Sequence, residues 1–477
     1  MMYRRSTLFG AMLGANFLVL ALLFIHAGFR QIADVSQLVR KAVLVRKLGL
    51  SDLCLFTEAS YTAISPWLIC APRSRSTPWL SSISPAALWQ CRPFISRNPM
   101  PHTIEKQRHI IDFTLASLLR RKGKNGALFT VYTLIVFILA SVMFFTHALK
   151  QEASLVLKDA PEIIVQRTLQ GRYTPIPETY AAKIREIRGV TAVRARVWGY
   201  YYDPVFLANY TIMAPETFTH EPGSIAIGSG ISRMRRAYEG DTISFTGANG
   251  KTRNFTITTV LPEGSQLVSS DLILMAEADY REFSGLPVGL ASDLTLKVRN
   301  PKEFATIAEK IVRLLPDTRP IIRNEILRTY DAVFSWRGGL LIIIMSAAVL
   351  AFVIFAWDKA SGLSTEEKKE IGILKAVGWE TSDILFMKFW EGIAISLTSF
   401  LTGTILAYGH VFFTSASLFV PVLKGWSVLY PEFRLTPFIN PGHIATLFFL
   451  TVVPYTLTTI IPSWRAATID PDSVLRS

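Results

Sequence analysis

Gly338-Gly339-Leu340-Leu341-Ile342-Ile343-Ile344-Met345-Ser346-Ala347-Ala348-Val349-Leu350-Ala351-Phe352-Val353-Ile354-Phe355-Ala356-Trp357 contains no ionisable side chain. At a rise of ~1.5 Å per residue, a helix of this length crosses the ~30 Å hydrocarbon core of a bilayer. A buried helix of a soluble domain rarely needs so long an uncharged run, so residues 338–357 read as a transmembrane helix. Residues 127–149, 393–413 and 444–461 are apolar runs of the same kind, the last with its flanks, and residues 8–29 form a fifth near the N-terminus. The composition agrees. Half of the 477 residues are hydrophobic and the mean hydropathy is +0.33, too apolar for an ordinary soluble enzyme.

The formal charge of +14 is concentrated at the front, where residues 1–124 hold 17 Lys/Arg against 5 Asp/Glu. Beside apolar runs, such basic segments mark the cytoplasmic side of a membrane, so no nucleic-acid partner is expected. Arg120-Arg121-Lys122-Gly123-Lys124 precedes the 127–149 run, Lys359, Lys368, Lys369 and Lys375 lie between 338–357 and 393–413, and Arg465 and Arg476 follow 444–461. Positive ends stay in the cytoplasm. Four core spans (127–149, 338–357, 393–413, 444–461) then leave residues 150–336 and the loop 414–443 outside, with 358–392 and the tail 462–477 inside. Upstream, residues 104–124 place Ile111, Leu115, Leu118 and Leu119 on one helical face. That pattern reads as an amphipathic helix lying on the cytoplasmic surface.

Residues 1–99 fit this scheme poorly. Arg4 and Arg5 before the 8–29 run look like a signal peptide or signal anchor, which would send the following chain outward, yet Arg120 and Lys124 must lie inside. Residues 59–100 offer no span to bring the chain back, because Pro66, Pro72, Pro78, Pro85 and Pro93 break every run. Val35, Leu38, Val39, Val43 and Leu48 do recur at helix-compatible spacing, and this coherence stops near Ser60. The expected reading is an N-terminal extension produced by gene fusion or a frameshift, joined to a protein whose own first residue is Met100. The alternative is a genuine extra anchor and a linker. Cys54, Cys70 and Cys91 all fall here and match no metal-ligand spacing.

Residues 150–336 are long enough for one or two small domains. Residues 162–166 read as a strand, 177–187 as a helix and 192–202 as a strand; the same order returns with strand 293–298, helix 301–315 and strand 320–323. Two strand–helix–strand units predict an α+β sandwich. Between them, 241–245 and 254–260 alternate toward a hairpin through Gly247-Ala248-Asn249-Gly250. Gly250-Lys251-Thr252 is not a phosphate-binding loop, since Phe245 stands where that motif needs Gly and a strand follows. Glu216, His220 and Glu221 surround Pro222 and Gly223, the pattern of an exposed loop. Trp198 with Tyr200, Tyr201 and Tyr202 reads as strand aromatics filling a core, or as a recognition surface. No catalytic residue is expected, and no metal.

Ser364-Thr365-Glu366-Glu367-Lys368-Lys369-Glu370-Ile371-Gly372-Ile373-Leu374-Lys375-Ala376-Val377-Gly378-Trp379 opens with a capping box at Ser364 and Glu367 and stops at Gly378. It predicts a short helix with Ile371, Leu374, Ala376 and Val377 on an apolar side, and with small Gly372 and Ala376 spaced for close approach of another backbone. The spacing alone fits a helix packed on its own bundle as well as one that docks a partner.

Glu370-Ile371-Gly372, Lys375-Ala376 and Gly378 together resemble the cytoplasmic-loop signature of MacB/FtsX-type ABC permeases, a group that includes the LolC/LolE-like lipoprotein-release permeases. Pro462, Arg465, Ala466, Asp470, Pro471, Leu475 and Arg476 resemble that family's ending. The resemblance covers about residues 104–477. It implies a multi-pass protein of the bacterial cytoplasmic (inner) membrane, with a MacB-like periplasmic α+β domain and a coupling helix seated in a separate ABC ATPase subunit. It also implies a homodimer, or a heterodimer with a second permease, with room for a periplasmic adaptor or lipoprotein. ATP would be bound by the partner, leaving this chain without a cofactor and without catalysis of its own. The function implied is transport or mechanotransmission. The alternatives are an FtsX-like regulator of an extracytoplasmic enzyme and a membrane-anchored sensor without an ATPase. Trp379 and residues 1–99 depart from the family pattern.

Overall fold

The computed structural model describes residues 5–50, 102–218, 221–329, 365–421, 427–432 and 434–468. The run 338–357, the capping residue Ser364 and the proline-broken segment after residue 50 lie outside them. Apolar periodicity without helix breakers gives long helices: α1 (Arg5–Leu48), α2 (His102–Arg120) and α3 (Lys122–Val156). Helix 104–124, expected as one piece, is broken at Arg121, whose backbone is not helical. α3 does not stop at 149. It continues to Val156 and ends in a 3-10 turn, Leu157–Asp159, directly before the first strand.

Strands β1 (Ile163–Leu169), β2 (Arg172–Thr174) and β3 (Ile176–Pro177) precede α4 (Thr179–Arg185). They are followed by β4 (Val190–Asp203), β5 (Ala208–Ala214), β6 (Ser224–Ile227), α5 (Ser229–Arg235) and the hairpin β7 (Thr242–Thr246) with β8 (Thr252–Val260). Then come α6 (Gln266–Ser269), β9 (Leu272–Met275), α7 (Glu277–Ser284), β10 (Leu290–Ala291), β11 (Asp293–Val298), α8 (Phe304–Leu314) and β12 (Thr318–Ile322). The predicted strand–helix–strand units are both present, but they are not two stacked modules. They share a ten-stranded sheet of order β12-β1-β11-β4-β5-β9-β6-β8-β7, with β2 on β1.

β4 is the reason. The half from Val190 to Arg196 pairs with β11, and the half from Val197 to Asp203 pairs with β5. One strand therefore carries two cores. The first holds Ile163, Ile184, Leu294 and Ile307 under α4 and α8; the second holds Tyr210, Ile225, Phe245 and Phe255. Strand alternation settles the aromatic run: Tyr201 turns inward, its ring 5.4 Å from that of Phe245, while Tyr200 and Tyr202 are exposed on the other face. At the hairpin, Gly250 takes φ +74° and the Gly247 N–H donates to the Lys251 carbonyl at 3.0 Å.

The remaining helices are α9 (Thr365–Ala376), α10 (Thr381–Tyr408), prolonged by a π-helical turn Gly409–Phe413, and α11 (Pro441–Thr468). α10 thus starts well before the apolar run 393–413. Among the described residues, Ser6–Leu48, Lys122–Val156 and Thr381–Phe413 are long and apolar enough to cross a membrane, with a shorter apolar helix at Pro441–Leu457. The protein is a membrane protein with an α+β domain beyond the bilayer. Its helical core joins Tyr132, Val136 and Phe144 of α3 to Phe400, Leu401 and Tyr408 of α10 and to Leu447 and Tyr455 of α11. Gly403 marks a close crossing with α3: a Cβ there would sit 2.9 Å from the Thr133 carbonyl oxygen.

Candidate functional site

The residues singled out in the sequence meet where α2, α9 and the start of α10 converge. α9 ends because Gly378 adopts φ +101°, closed to most side chains. The Gly378 N–H donates to the Lys375 carbonyl and the Trp379 N–H to the Leu374 carbonyl, both at 3.0 Å, and Trp379 packs against the apolar cluster that holds Leu374. These are the two bonds and the apolar contact of a Schellman cap. Ile371 and Leu374 are buried with Ile110 of α2 and Ile384 and Met387 of α10, ringed by Phe113, Trp379 and Trp390. The Phe113 and Trp379 rings lie 5.3 Å apart.

Charged groups fasten this cluster. Glu370 spans the α2–α3 junction: one carboxylate oxygen accepts from Arg120 Nη2 and the other from Arg121 Nη2, each at 2.9 Å. Lys106 of α2 pairs with Asp383 of α10 at 2.8 Å, and that hydrogen bond raises the lysine pKa above its ordinary 10.5. On α10, Lys388 donates to Glu391 at 2.7 Å, the pairing expected from their i, i+3 spacing. The Glu370 clamp had no local signal in the sequence, since its partners lie 249 and 250 residues away.

Two expectations need correction. Gly372 is buried within the chain while Ala376 is exposed, so the pair does not form one free small-residue face. Nor do Ile371, Leu374, Ala376 and Val377 share a side. At ~100° per residue, Ile371 and Leu374 face the bundle, while Ile373, Ala376 and Val377 face away, with Val377 75% exposed. Lys375 is half-buried. On α2, Ile110 and Thr114 face the bundle, and Ile111, Leu115 and Leu118 are partly exposed beside an exposed Leu119. Pro462, Arg465 and Ala466 lie in α11, which touches α9; Asp470, Pro471, Leu475 and Arg476 lie outside the described residues. In the extramembrane domain Glu216 and Glu221 are exposed, and His220 lies outside the described residues.

From the Glu370 clamp, α3 runs unbroken for 35 residues, roughly 50 Å at ~1.5 Å per residue. At its far end Glu152, with no exposed surface, pairs with buried Lys41 of α1. Six residues separate the end of the helix proper at Val156 from the start of β1 at Ile163, so the rod feeds straight into the sheet. The loop after α10 braces the same level: Ser270 Oγ donates to the Leu429 carbonyl at 3.2 Å, the Glu432 N–H donates to Gln266 Oε1 at 2.7 Å, and Gln31 Nε2 of α1 donates to the Pro437 carbonyl at 2.7 Å. The arrangement is mechanical, a surface helix tied by ion pairs to a rod that ends in a sheet.

Residues 338–471 match the family model of the FtsX-like permease C-terminal domain. Over 210 residues the chain is 29% identical to the macrolide export ATP-binding/permease protein MacB of Agrobacterium fabrum, a match covering 42% of this chain and 30% of that protein. The chain thus spans under a third of the length of this curated relative. Among solved structures, the extracellular domain of the noncanonic ABC-type transporter YknZ from Gram-positive bacteria covers 33% of this chain and 98% of its own, at 13% identity and a TM-score of 0.25. The periplasmic region of MacB from Actinobacillus actinomycetemcomitans covers 35% and 92%, at 11% identity and a TM-score of 0.26. Residues 338–471 thus resemble an FtsX-like permease C-terminal domain, and part of the chain is similar to MacB, as a permease of the MacB/FtsX type would be.

Proposed function

We propose that the protein is the membrane subunit of an ABC system of the bacterial inner membrane, and that α9 docks a separate ATPase subunit, which alone binds ATP. The observation that carries this reading is the split of α9. Its inner face is fixed to α2 and α10 by Ile371, Leu374 and Glu370, while Ile373, Ala376 and Val377 stand free on a face pointing away from the bundle. A helix pushed from that side moves the α2–α3 junction with it. Because α3 is continuous to the sheet, the displacement reaches the extramembrane domain as transport or mechanical work in the periplasm.

The test is co-purification of the full chain from its native membranes and ATP hydrolysis in the purified complex. Ile373→Asp with Val377→Asp should reduce recovery of the nucleotide-binding subunit at least about tenfold, equivalent to ~1.4 kcal/mol. Val205→Asp, on the extramembrane domain, should leave it unchanged. If the unaltered chain brings down no nucleotide-binding subunit, the protein is a membrane-anchored sensor and the coupling reading fails.

A further inference from the structure

The half of the sheet under α4 and α8 has a second face. Ile163, Val193, Leu294 and Leu296 turn toward those helices and are buried. By alternation, Glu162, Arg194, Thr295 and Lys297 turn the other way, and Arg196 follows Arg194 on that side. The C-terminal end of α1 is docked there: Arg196 Nη1 donates to the Gly49 carbonyl, and a Cβ at Gly49 would lie 3.6 Å from Pro161 Cγ. Between helix end and sheet lies a cleft of about 380 Å³. Arg46, Lys47, Arg194, Arg196, Lys297 and Arg323 line it, against the carboxylates of Glu162 and Glu216.

Two of these cations are held within the fold. Arg196 binds Asp293 through Nε at 2.7 Å and Nη2 at 2.6 Å. Arg323 lies 3.6 Å from one oxygen of Glu162, whose other oxygen accepts from the Val298 N–H. Arg46 and Lys47 sit in the last turn of α1, where cations complement the helix dipole. Neither reason reaches Arg194 and Lys297. Arg194 pairs in register with Thr295 and Lys297 with Ala192, so the two cations are diagonal neighbours across β4 and β11, where like charges repel. Among the described residues, Arg46, Lys47, Arg194 and Lys297 have no carboxylate within ion-pair distance. The sequence after α1 adds no net negative charge, since residues 51–101 hold Asp52 and Glu58 against Arg73, Arg75, Arg92 and Arg97.

Cations of one sign around a concave wall concentrate positive potential, and each can donate charge-assisted hydrogen bonds to an oxyanion. The volume is that of a small-molecule site and too small for a folded partner. Ala160, in the wall, lies beyond the end of the apolar run 127–149 by roughly 15 Å at ~1.5 Å per residue. Lipid headgroups reach only ~5–8 Å past the hydrocarbon, so the anion comes from the aqueous side.

We propose that this cleft binds a small, soluble, phosphate-bearing anion, with Arg194 and Lys297 as its principal ligands. This holds whether or not α9 docks an ATPase. The test is equilibrium dialysis of radiolabelled inorganic pyrophosphate against the full chain, purified alone in nanodiscs of phosphatidylcholine. Saturable binding is expected, and Arg194→Gln with Lys297→Gln should weaken it at least about tenfold. Arg185→Gln with Arg188→Gln removes the same charge from exposed positions in and just after α4, across the sheet, and should leave binding unchanged. Thermal unfolding guards against misfolding: without ligand the cleft variant should melt no lower than the unaltered chain, because two like charges are removed. Pyrophosphate should raise the melting temperature of the unaltered and control chains but not that of the cleft variant. Nanodiscs in which phosphatidylglycerol replaces part of the phosphatidylcholine separate the two sources of phosphate. Equal affinity there supports a soluble ligand, whereas pyrophosphate binding weakened by that lipid would assign the cleft to a headgroup and overturn the soluble source. Absence of saturable binding, or the same affinity in cleft and control variants, would overturn the site itself.

Discussion

Arg235 lies with its guanidinium 4.9 Å from the Phe206 ring and 4.8 Å from the Phe245 ring, and it pairs with Asp203. Burial alone would raise the Asp203 pKa. Hydrogen bonds from the Tyr210 hydroxyl and the Val205 N–H, with the Arg235 charge, outweigh it and hold the carboxyl below its ordinary 3.8. A depressed carboxyl pKa adds stability that is present above the unfolded value and lost as pH falls through the folded one. Asp203→Asn leaves Arg235 buried without its counter-charge and should destabilise the extramembrane domain by about 3–5 kcal/mol. Thermal unfolding of the full chain checks this, and the gap between variant and unaltered protein should begin to narrow below about pH 4 and close once the pH has fallen through the depressed folded value. Within the bilayer, Gly403→Ala drives a methyl against the Thr133 carbonyl at 2.9 Å. It should cost about 1–3 kcal/mol by overpacking, read as a lower melting temperature in detergent, whereas Gly10→Ala, with nothing within 4 Å, should not lower it.

α9 has one face held to α2 and α10 and one exposed, the face the proposed ATPase would meet. Its ion pairs with Arg120 and Arg121 are partly exposed, and exposed pairs contribute only ~0–1 kcal/mol each. Glu370→Ala should therefore barely change thermal stability. It should still lower ATP hydrolysis coupled to the permease, because α9 would no longer pull on the α2–α3 junction; equal coupling in Glu370→Ala and unaltered protein would show that the junction is driven some other way. α2 follows the same logic. Its partly exposed face, Ile111, Leu115 and Leu118, was legible as apolar, but the residues that hold it to α9 and α10, Ile110 and Thr114, sit a quarter-turn aside.

For the molecule as a whole, α3 joins a basic end to a sheet, so the sidedness of one fixes that of the other. With the positive ends inside, Gly250 at the hairpin and Lys369 of α9 should lie on opposite sides. On a background with Cys54, Cys70 and Cys91 replaced by Ser, a membrane-impermeant thiol reagent applied from outside should label Gly250→Cys and miss Lys369→Cys. The reverse pattern would invert the topology and remove the ATPase from reach of α9.

What the sequence determined by itself is whatever is written in neighbouring residues. Apolar length gave helical segments, two-residue alternation located β11 at Asp293–Val298, turn glycines placed the β7–β8 hairpin, and Gly378 marked the end of α9. Periodicity reports that a face is apolar, not whether lipid, the same chain or another chain covers it. Only the tertiary structure could decide that Gly372 turns inward and Val377 outward, that β4 carries two cores on one sheet, that Leu38 of α1 packs on the body while Val39 stays exposed, and that Glu370 and Glu152 find partners more than 100 residues away. Those outcomes depend on which distant segments meet, and a contact between distant segments leaves no local mark on either one.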